Sequence, residues 1–405
     1  MYIDHISLLD YRTYPLLNLP LKPGVTVFLG SNGVGKTNIV EAIDYTANLS
    51  SHRVSHDAPL VRVGAPRAFI RTRVVRASQQ TVCEFEISPG KSNRVRINRA
   101  APVRAREALG IVSTVLFSPE DLQLVKGEPA YRRGFLDQLA VALRPSVSAY
   151  LSEYEKVLRQ RNSLLKSMRK SRSEENDLST LTVFNDQLAR AGAYVLQARL
   201  RVLALALPQV QRAYAELTDG AKDVSVSYES TIFPQISEAV LPRAALMSVE
   251  DIYRAMLAGI EEKQSEEIDR GLTLVGPHRD ELALYLGGIP ARGFASHGET
   301  WSLALALRVG SWYVHLADDD SPGSSPILIL DDVFAELDAA RRHRLGTMVA
   351  RAEQVLVTCA VSTDIPEELG DDLAIVHVSS GQATYDDDNS GGEAQPALRA
   401  TPEES

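Results

Sequence analysis

The chain has 405 residues, 44% hydrophobic and 23% charged, enough for two or three domains of ordinary composition with a sizeable core. No run approaches the roughly 18 apolar residues of a membrane span, Asp4 and His5 break any leader-like start, and two distant cysteines, Cys83 and Cys359, support neither a disulfide framework nor a zinc cluster, so a cytoplasmic protein without a membrane partner is expected. The net charge of −9 is unevenly spread: residues 51–175 hold 23 Lys and Arg against 12 Asp and Glu, a surplus of 11 that leaves −20 elsewhere, which is compatible with a polyanion-binding face.

In chain order, residues 1–29 read as strands, the last of them Val25, Val27, Phe28 and Leu29 after Gly24. Helical spacing follows over residues 38–49. Residues 68–117 again read as strands, β-branched or aromatic runs interleaved with arginine, with a turn at Pro89-Gly90 and a last apolar strand over 111–117. From 130 to 268 long helical patterns dominate, including Leu196, Leu200, Leu203 and Leu207, with a polar loop expected over 170–176 between antiparallel helices. Residues 272–380 return to strand–helix alternation, with apolar runs at 327–330 and 355–357. Beyond Ser379 the chain is rich in Gly, Asp, Ser, Pro and Glu and is expected to be disordered. One α/β unit is thus split into residues 1–129 and 270–378, with a helical insertion over 130–269 and an acidic tail over 379–405.

Gly30, Ser31, Asn32, Gly33, Val34, Gly35, Lys36 and Thr37 match the phosphate-loop pattern at every fixed position, between an apolar strand and a helix. Glycines let backbone N–H groups turn towards phosphate oxygens, and the helix N-terminus adds unsatisfied donors. Lys36 is placed to reach the β and γ phosphates of ATP, and the Thr37 hydroxyl to bind Mg²⁺. A second apolar run, 327–330, ends in Asp331 and Asp332. Asp331 is expected to hold the Mg²⁺, a hard cation that prefers oxygen, and Asp332 to polarise the attacking water as a base. The two motifs lie much farther apart than in small phosphate-loop kinases and GTPases, and no N-K-x-D guanine-reading motif is present, so adenine is the better expectation.

Further residues then fall into line. Ser296-His297-Gly298-Glu299 opens an apolar helix and resembles the signature motif of ABC-type ATPases; Glu336-Leu337-Asp338 resembles the D-loop after the acidic strand. Two ATPase halves around a helical insertion resemble the SMC-related group. Ser51-His52-Arg53, the run from Phe117 to Leu122, Gly127-Glu128-Pro129 before Arg132-Arg133, and Gly276-Pro277-His278-Arg279-Asp280 resemble the RecF family of bacterial recombinational-repair proteins over residues 1–378. The chain departs in carrying Trp301 where Arg or Lys is common, Asp332 where transporters and SMC proteins usually have Glu, and no clear switch histidine, with Thr358 nearby.

The resemblance implies an ABC/SMC-type P-loop ATPase head split by a helical insertion. It implies a head-to-tail homodimer formed with ATP, in which Ser296, the Gly298 backbone, Glu299 and Asp338 meet the partner's nucleotide. It further implies a clamp on double-stranded DNA at gaps or single-strand/double-strand junctions, slow DNA-stimulated hydrolysis as a switch, and a role with RecO and RecR in recombinase loading, replication recovery and the SOS response. Arg71, Arg73, Arg76, Arg94, Arg96, Arg132 and Arg133 are candidates for DNA-phosphate contact, which carries no sequence specificity. The competing readings are an ABC transporter ATPase subunit, for which the insertion is too large, an SMC-type tether, for which it is too short, and a scaffold with structural ATP, against which Lys36, Asp331 and Asp332 argue. His52 and His56 have helical metal-site spacing but no further ligand beside them, and His278 is expected to support the nucleotide lobe rather than react.

Overall fold

The computed structural model describes residues 1–170, 175–220, 222–233, 235–370 and 372–386, leaving aside the side chains of 175–177. In chain order its strands and α-helices are β1 (Tyr2–Tyr11), β2 (Tyr14–Pro20), β3 (Gly24–Leu29), α1 (Lys36–Asn48), β4 (Ala68–Arg76), β5 (Gln79–Ile87), β6 (Arg94–Ile97), β7 (Val103–Arg104) and β8 (Thr114–Phe117). Then come α2 (Leu122–Lys126), α3 (Pro129–Leu143), α4 (Val147–Lys170), α5 (Glu175–Thr218), β9 (Val224–Glu229), β10 (Ile236–Ser237), α6 (Leu241–Ala244) and α7 (Val249–Arg270). The chain ends with β11 (Glu281–Leu286), β12 (Ile289–Pro290), α8 (His297–Asp318), β13 (Ile327–Asp331), α9 (Ala339–Val349), β14 (Gln354–Cys359), β15 (Ala374–Ser379) and β16 (Gln382–Tyr385).

One sheet has the order β16-β15-β3-β14-β13-β8 and is parallel except for β16. Both of its faces are covered, which explains why its strands read as unbroken apolar runs rather than alternating ones. Leu328, Leu330, Val355 and Val357 face a core shared with α3, α5 and α8. Ile327, Ile329, Leu356 and Val376 face a second core, with Ile39, Val40 and Ile43 of α1. Against the far side of α1 lies an antiparallel sheet, β2-β1-β4-β5-β6-β7, through Ile3, Ile6 and Leu8. Buried Gln354 ties the two sheets: its amide oxygen accepts from Ile3 N at 2.9 Å, and its NH₂ donates to Ile3 O at 2.8 Å and Lys22 O at 3.0 Å.

The 44-residue α5 packs on α4, α7 and α8. The helical pattern of 130–268 has an exception that its periodicity concealed. Val224, Val226 and Tyr228 alternate inward on β9, which pairs with β11 in the antiparallel sheet β10-β9-β11-β12. The strand read over 111–117 is shorter, because Leu109–Val112 makes only an isolated bridge. Ordered structure also runs past Ser379: β16 pairs with β15, and Tyr385 Oη donates to Pro20 O at 2.5 Å. The rest of the expected tail, 387–405, and the centre of the expected loop, 171–174, lie outside the described residues.

Candidate functional site

The phosphate loop joins β3 to α1. Gly35 is the N-cap of α1, left-handed at φ 115°, and no side chain caps the helix; Asn38 N donates back to Gly35 O at 3.0 Å, and a helix N-terminus of this kind favours an anion. Two glycines are fixed by close approach as well. A β-carbon on Gly30 would stand 2.4 Å from Val378 O, and one on Gly35 would stand 2.9 Å from Tyr14 Oη. The β1–β2 hairpin braces the loop from below. Tyr14 Oη donates to Gly35 O at 3.2 Å, Asn38 Nδ2 donates to Thr13 Oγ1 at 3.0 Å, and Arg12 forks onto Glu41 of α1.

Lys36 is buried, and its ammonium donates to Gly30 O at 2.8 Å and, at 3.3 Å, to Ser31 O and Asn32 Oδ1. Ser31, Asn32 and Gly33 are exposed, and Val34 is half-buried against the second core. Thr37 Oγ1 donates to Asp331 Oδ1 at 3.0 Å. Thr358, at the end of the adjacent strand β14, donates to the same oxygen at 2.7 Å and accepts from Asp332 N at 2.9 Å. That bond helps hold Asp332 in the left-handed region, φ 51°, at the strand's end. Burial pushes the Asp331 carboxyl above its ordinary range, the Thr358 and Thr37 hydroxyls pull it back, and the Asp332 charge pushes it up again. A loop of backbone donors, a lysine, and a hydroxyl–carboxylate pair of hard oxygens fit a nucleotide phosphate with its divalent cation.

Ser296, Gly298, Glu299 and Asp338 gather in a second cluster. Ser296 caps α8, with a reciprocal bond from Ser296 N to Glu299 Oε2 at 2.8 Å. Lys222 holds Glu299 at 2.5 Å; this and the bonds from Ser296 draw its pKa down to about 2. Asp338 caps α9, accepting from Arg341 N at 2.9 Å. Among the described residues no hydrogen bond joins this cluster to residues 30–37. Trp301 is buried in the first turns of α8. Arg341, Lys222, Tyr14 and Thr13 were not singled out in the sequence, where no local pattern marks them.

The candidate arginines separate. Arg94 and Arg96 are exposed and Arg71 partly so, all on the antiparallel sheet; Arg73 pairs with Asp4 at 2.6 Å and Arg76 with Asp319 at 2.7 Å. Arg132 does not belong among surface phosphate contacts. It is 3% exposed, ion-paired with Glu281 at 2.5 Å, and bound to Leu124 O and Gly127 O. Arg133 donates to Asp280 O at 2.8 Å. Both tie α3 to the start of β11. Among the described residues no group of three or more His, Cys, Asp or Glu could hold a metal.

The Gly276–Asp280 run is a structural knot. His278 Nδ1 accepts from Tyr154 Oη at 2.6 Å while Nε2 lies 3.3 Å from Thr273 O, an arrangement that suits the neutral ring, and burial draws its pKa down to about 4. Asp280 accepts from Tyr228 Oη at 2.9 Å and is pushed up to about 6 by burial. For His278 the folded pKa lies below the unfolded one, so its contribution to stability is complete above about pH 6.5 and is lost as pH falls towards 4, on the order of 3 kcal/mol in all. Asp280 acts oppositely over about pH 4–6, being raised in the folded state. A His278→Gln variant should therefore lose less unfolding free energy than the parent between pH 6.5 and 4 in urea titrations; parallel pH profiles would contradict the assignment.

The chain matches the family described as RecF/RecN/SMC N terminal domain over residues 2–382. It is 51% identical over 385 residues to the DNA replication and repair protein RecF of Pseudarthrobacter chlorophenolicus, covering 91% of this chain and 96% of that one. It is 50% identical over 393 residues to the protein of the same name from Kineococcus radiotolerans, covering 96% and 100%. Among solved structures it is similar to the ATP complex of the recombination mediator RecF of the RecFOR pathway, with a TM-score of 0.82 at 24% identity over 95% of this chain and 97% of that chain. An Smc head domain from Pyrococcus furiosus shares the fold at a TM-score of 0.52 and 17% identity, over 95% of each chain. Relatives of this kind do not favour a transporter subunit, and no helix among the described residues is long and apolar enough to cross a membrane. The chain belongs to the RecF family of DNA replication and repair proteins, built on an ATPase head of the ABC/SMC type.

Proposed function

We propose that this chain is an ATP-gated dimeric clamp on duplex DNA at gaps or single-strand/double-strand junctions, acting with RecO and RecR to help load recombinase. The observation that carries this reading is the division of the site into two clusters. Lys36, Thr37, Asp331, Asp332 and Thr358 form one, suited to the nucleotide in cis. Ser296, Gly298, Glu299 and Asp338 form the other, at the N-termini of α8 and α9, and it is suited to a phosphate brought by a second copy. ATP shared between copies stabilises the dimer because it binds only there in full.

On this reading Lys36 holds the β and γ phosphates, Thr37 and Asp331 supply the oxygen ligands of Mg²⁺, and Asp332 orients and polarises water. The cation, when bound, offsets phosphate charge. A short carboxylate at position 332 suits slow hydrolysis, a switch rather than a motor. Arg71, Arg94 and Arg96 offer non-specific phosphate contacts on one sheet face.

Light scattering with and without ATP, then with duplex DNA, tests the reading. The parent protein should double in mass with ATP. Ser296→Arg, which puts a long cation at the cap of α8, should bind ATP as a monomer yet neither dimerise nor turn over. Loss of monomer ATP binding in this variant would show that Ser296 belongs to the cis site. DNA affinity should rise with ATP and fall steeply with salt; a salt-independent affinity would remove the phosphate-contact model.

A further inference from the structure

We propose that Arg341 is a positioning residue that locks the signature turn of α8 to the Asp338 turn of α9, so that the two meet a partner's nucleotide as one rigid surface. The proposal rests on the dimer reading above. Arg341 reaches both turns at once. Its Nε donates to Ser302 Oγ at 2.9 Å, and the Ser302 hydroxyl in turn donates to Gly298 O at 2.9 Å. Ser302 is fully buried, and its hydroxyl both accepts from Arg341 and donates to Gly298 there. The other end of the guanidinium pairs with the Asp338 carboxylate, the group that caps α9 through Arg341 N.

The same guanidinium lies over Gly298. A β-carbon there would stand 3.1 Å from Nη2 and 3.2 Å from Nη1. Glycine at 298 thus makes room for the arginine as well as for a phosphate. The planar fork serves two acceptors in fixed directions, which a lysine cannot reproduce. On the opposite flank Lys222 fixes Glu299, so the turn is held from both sides. No hydrogen bond among the described residues connects Arg341 with residues 30–37, so its loss should leave the cis nucleotide site intact.

The test measures two quantities on the full chain: ATP affinity of the monomer at low protein concentration, and the protein concentration of half-maximal dimerisation with ATP. Arg341→Ala should leave the first within twofold and raise the second at least tenfold. Arg341→Lys should recover part of the loss. Ser302→Ala should show a smaller defect, and the double variant should be no worse than Arg341→Ala alone, because both act through one chain of bonds. A general loss of fold would weaken ATP binding by the monomer as well as raise the dimerisation midpoint, and would overturn the positioning role. An unchanged dimerisation midpoint in Arg341→Ala, with the parent dimerising, overturns this proposal alone. A parent protein that does not dimerise with ATP overturns the dimer reading and this proposal with it.

Discussion

Lys36→Ala is expected to lower nucleotide affinity at least about a hundredfold, near 2.7 kcal/mol, and to abolish ATP-dependent dimerisation. Lys36 is buried at 3% exposure. Its bonds to Gly30 O, Ser31 O and Asn32 Oδ1 close the loop on itself. The substitution therefore removes the internal fastening that shapes the loop and, on the proposed reading, a charge-assisted contact to the phosphates. Charge-assisted bonds contribute about 1.5–3 kcal/mol each. Fold should survive, because the α1 core (Ile39, Val40 and Ile43) is untouched. Calorimetry with ATP measures the first effect and light scattering the second. Affinity within threefold of the parent, or an intact dimer, would remove Lys36 from the site.

Glu267→Ala is expected to destabilise the protein by about 3–5 kcal/mol, because it strands a buried guanidinium. Arg161 and Glu267 are both 0% exposed and pair at 2.5 Å. Arg161 also donates to Asn185 Oδ1 and Thr273 Oγ1, each at 2.8 Å, while Glu267 accepts from Leu274 N at 2.6 Å. The network fastens α4, α5 and α7 to the segment that leads into β11. Replacing both partners, Arg161→Met with Glu267→Leu, should cost clearly less than Glu267→Ala alone, since no charge is then left unpaired. Urea unfolding of the three variants decides the matter, and a Glu267→Ala loss below 1 kcal/mol would contradict it.

These two sites differ in how plainly the sequence announces them. The phosphate loop and the run ending at Asp331-Asp332 are local codes: glycine where backbone must approach a ligand, and apolar residues where a strand is covered on both faces. Reading the neighbourhood of Thr37 then required only that the two strands be near one another. Arg161 gave no such sign. It sits among polar neighbours on a helix, and its burial depends on Glu267, 106 positions away. Arg132 misled for the same reason, its partner Glu281 being 149 positions away. Strand β9 was hidden by scale: six residues of period two amid long helices. Arg341 became legible only when α8 and α9 were seen side by side.

The strand order of the parallel sheet has a consequence for synthesis. β3, which carries the phosphate loop, lies between β14 and β15, so its neighbours are made only after residue 353. At about 5–20 residues per second, roughly 15–65 s separate the emergence of Leu29 from that of the first neighbour. During that interval β3 exposes both backbone edges, a hazard for mispairing. The β1–β2 hairpin and α1 can form early, but the nucleotide site cannot be completed while Asp331 and Thr358 are still untranslated. A ribosome-bound fragment would thus carry the recognisable loop without a working site, and ATP could favour the native state only late in translation.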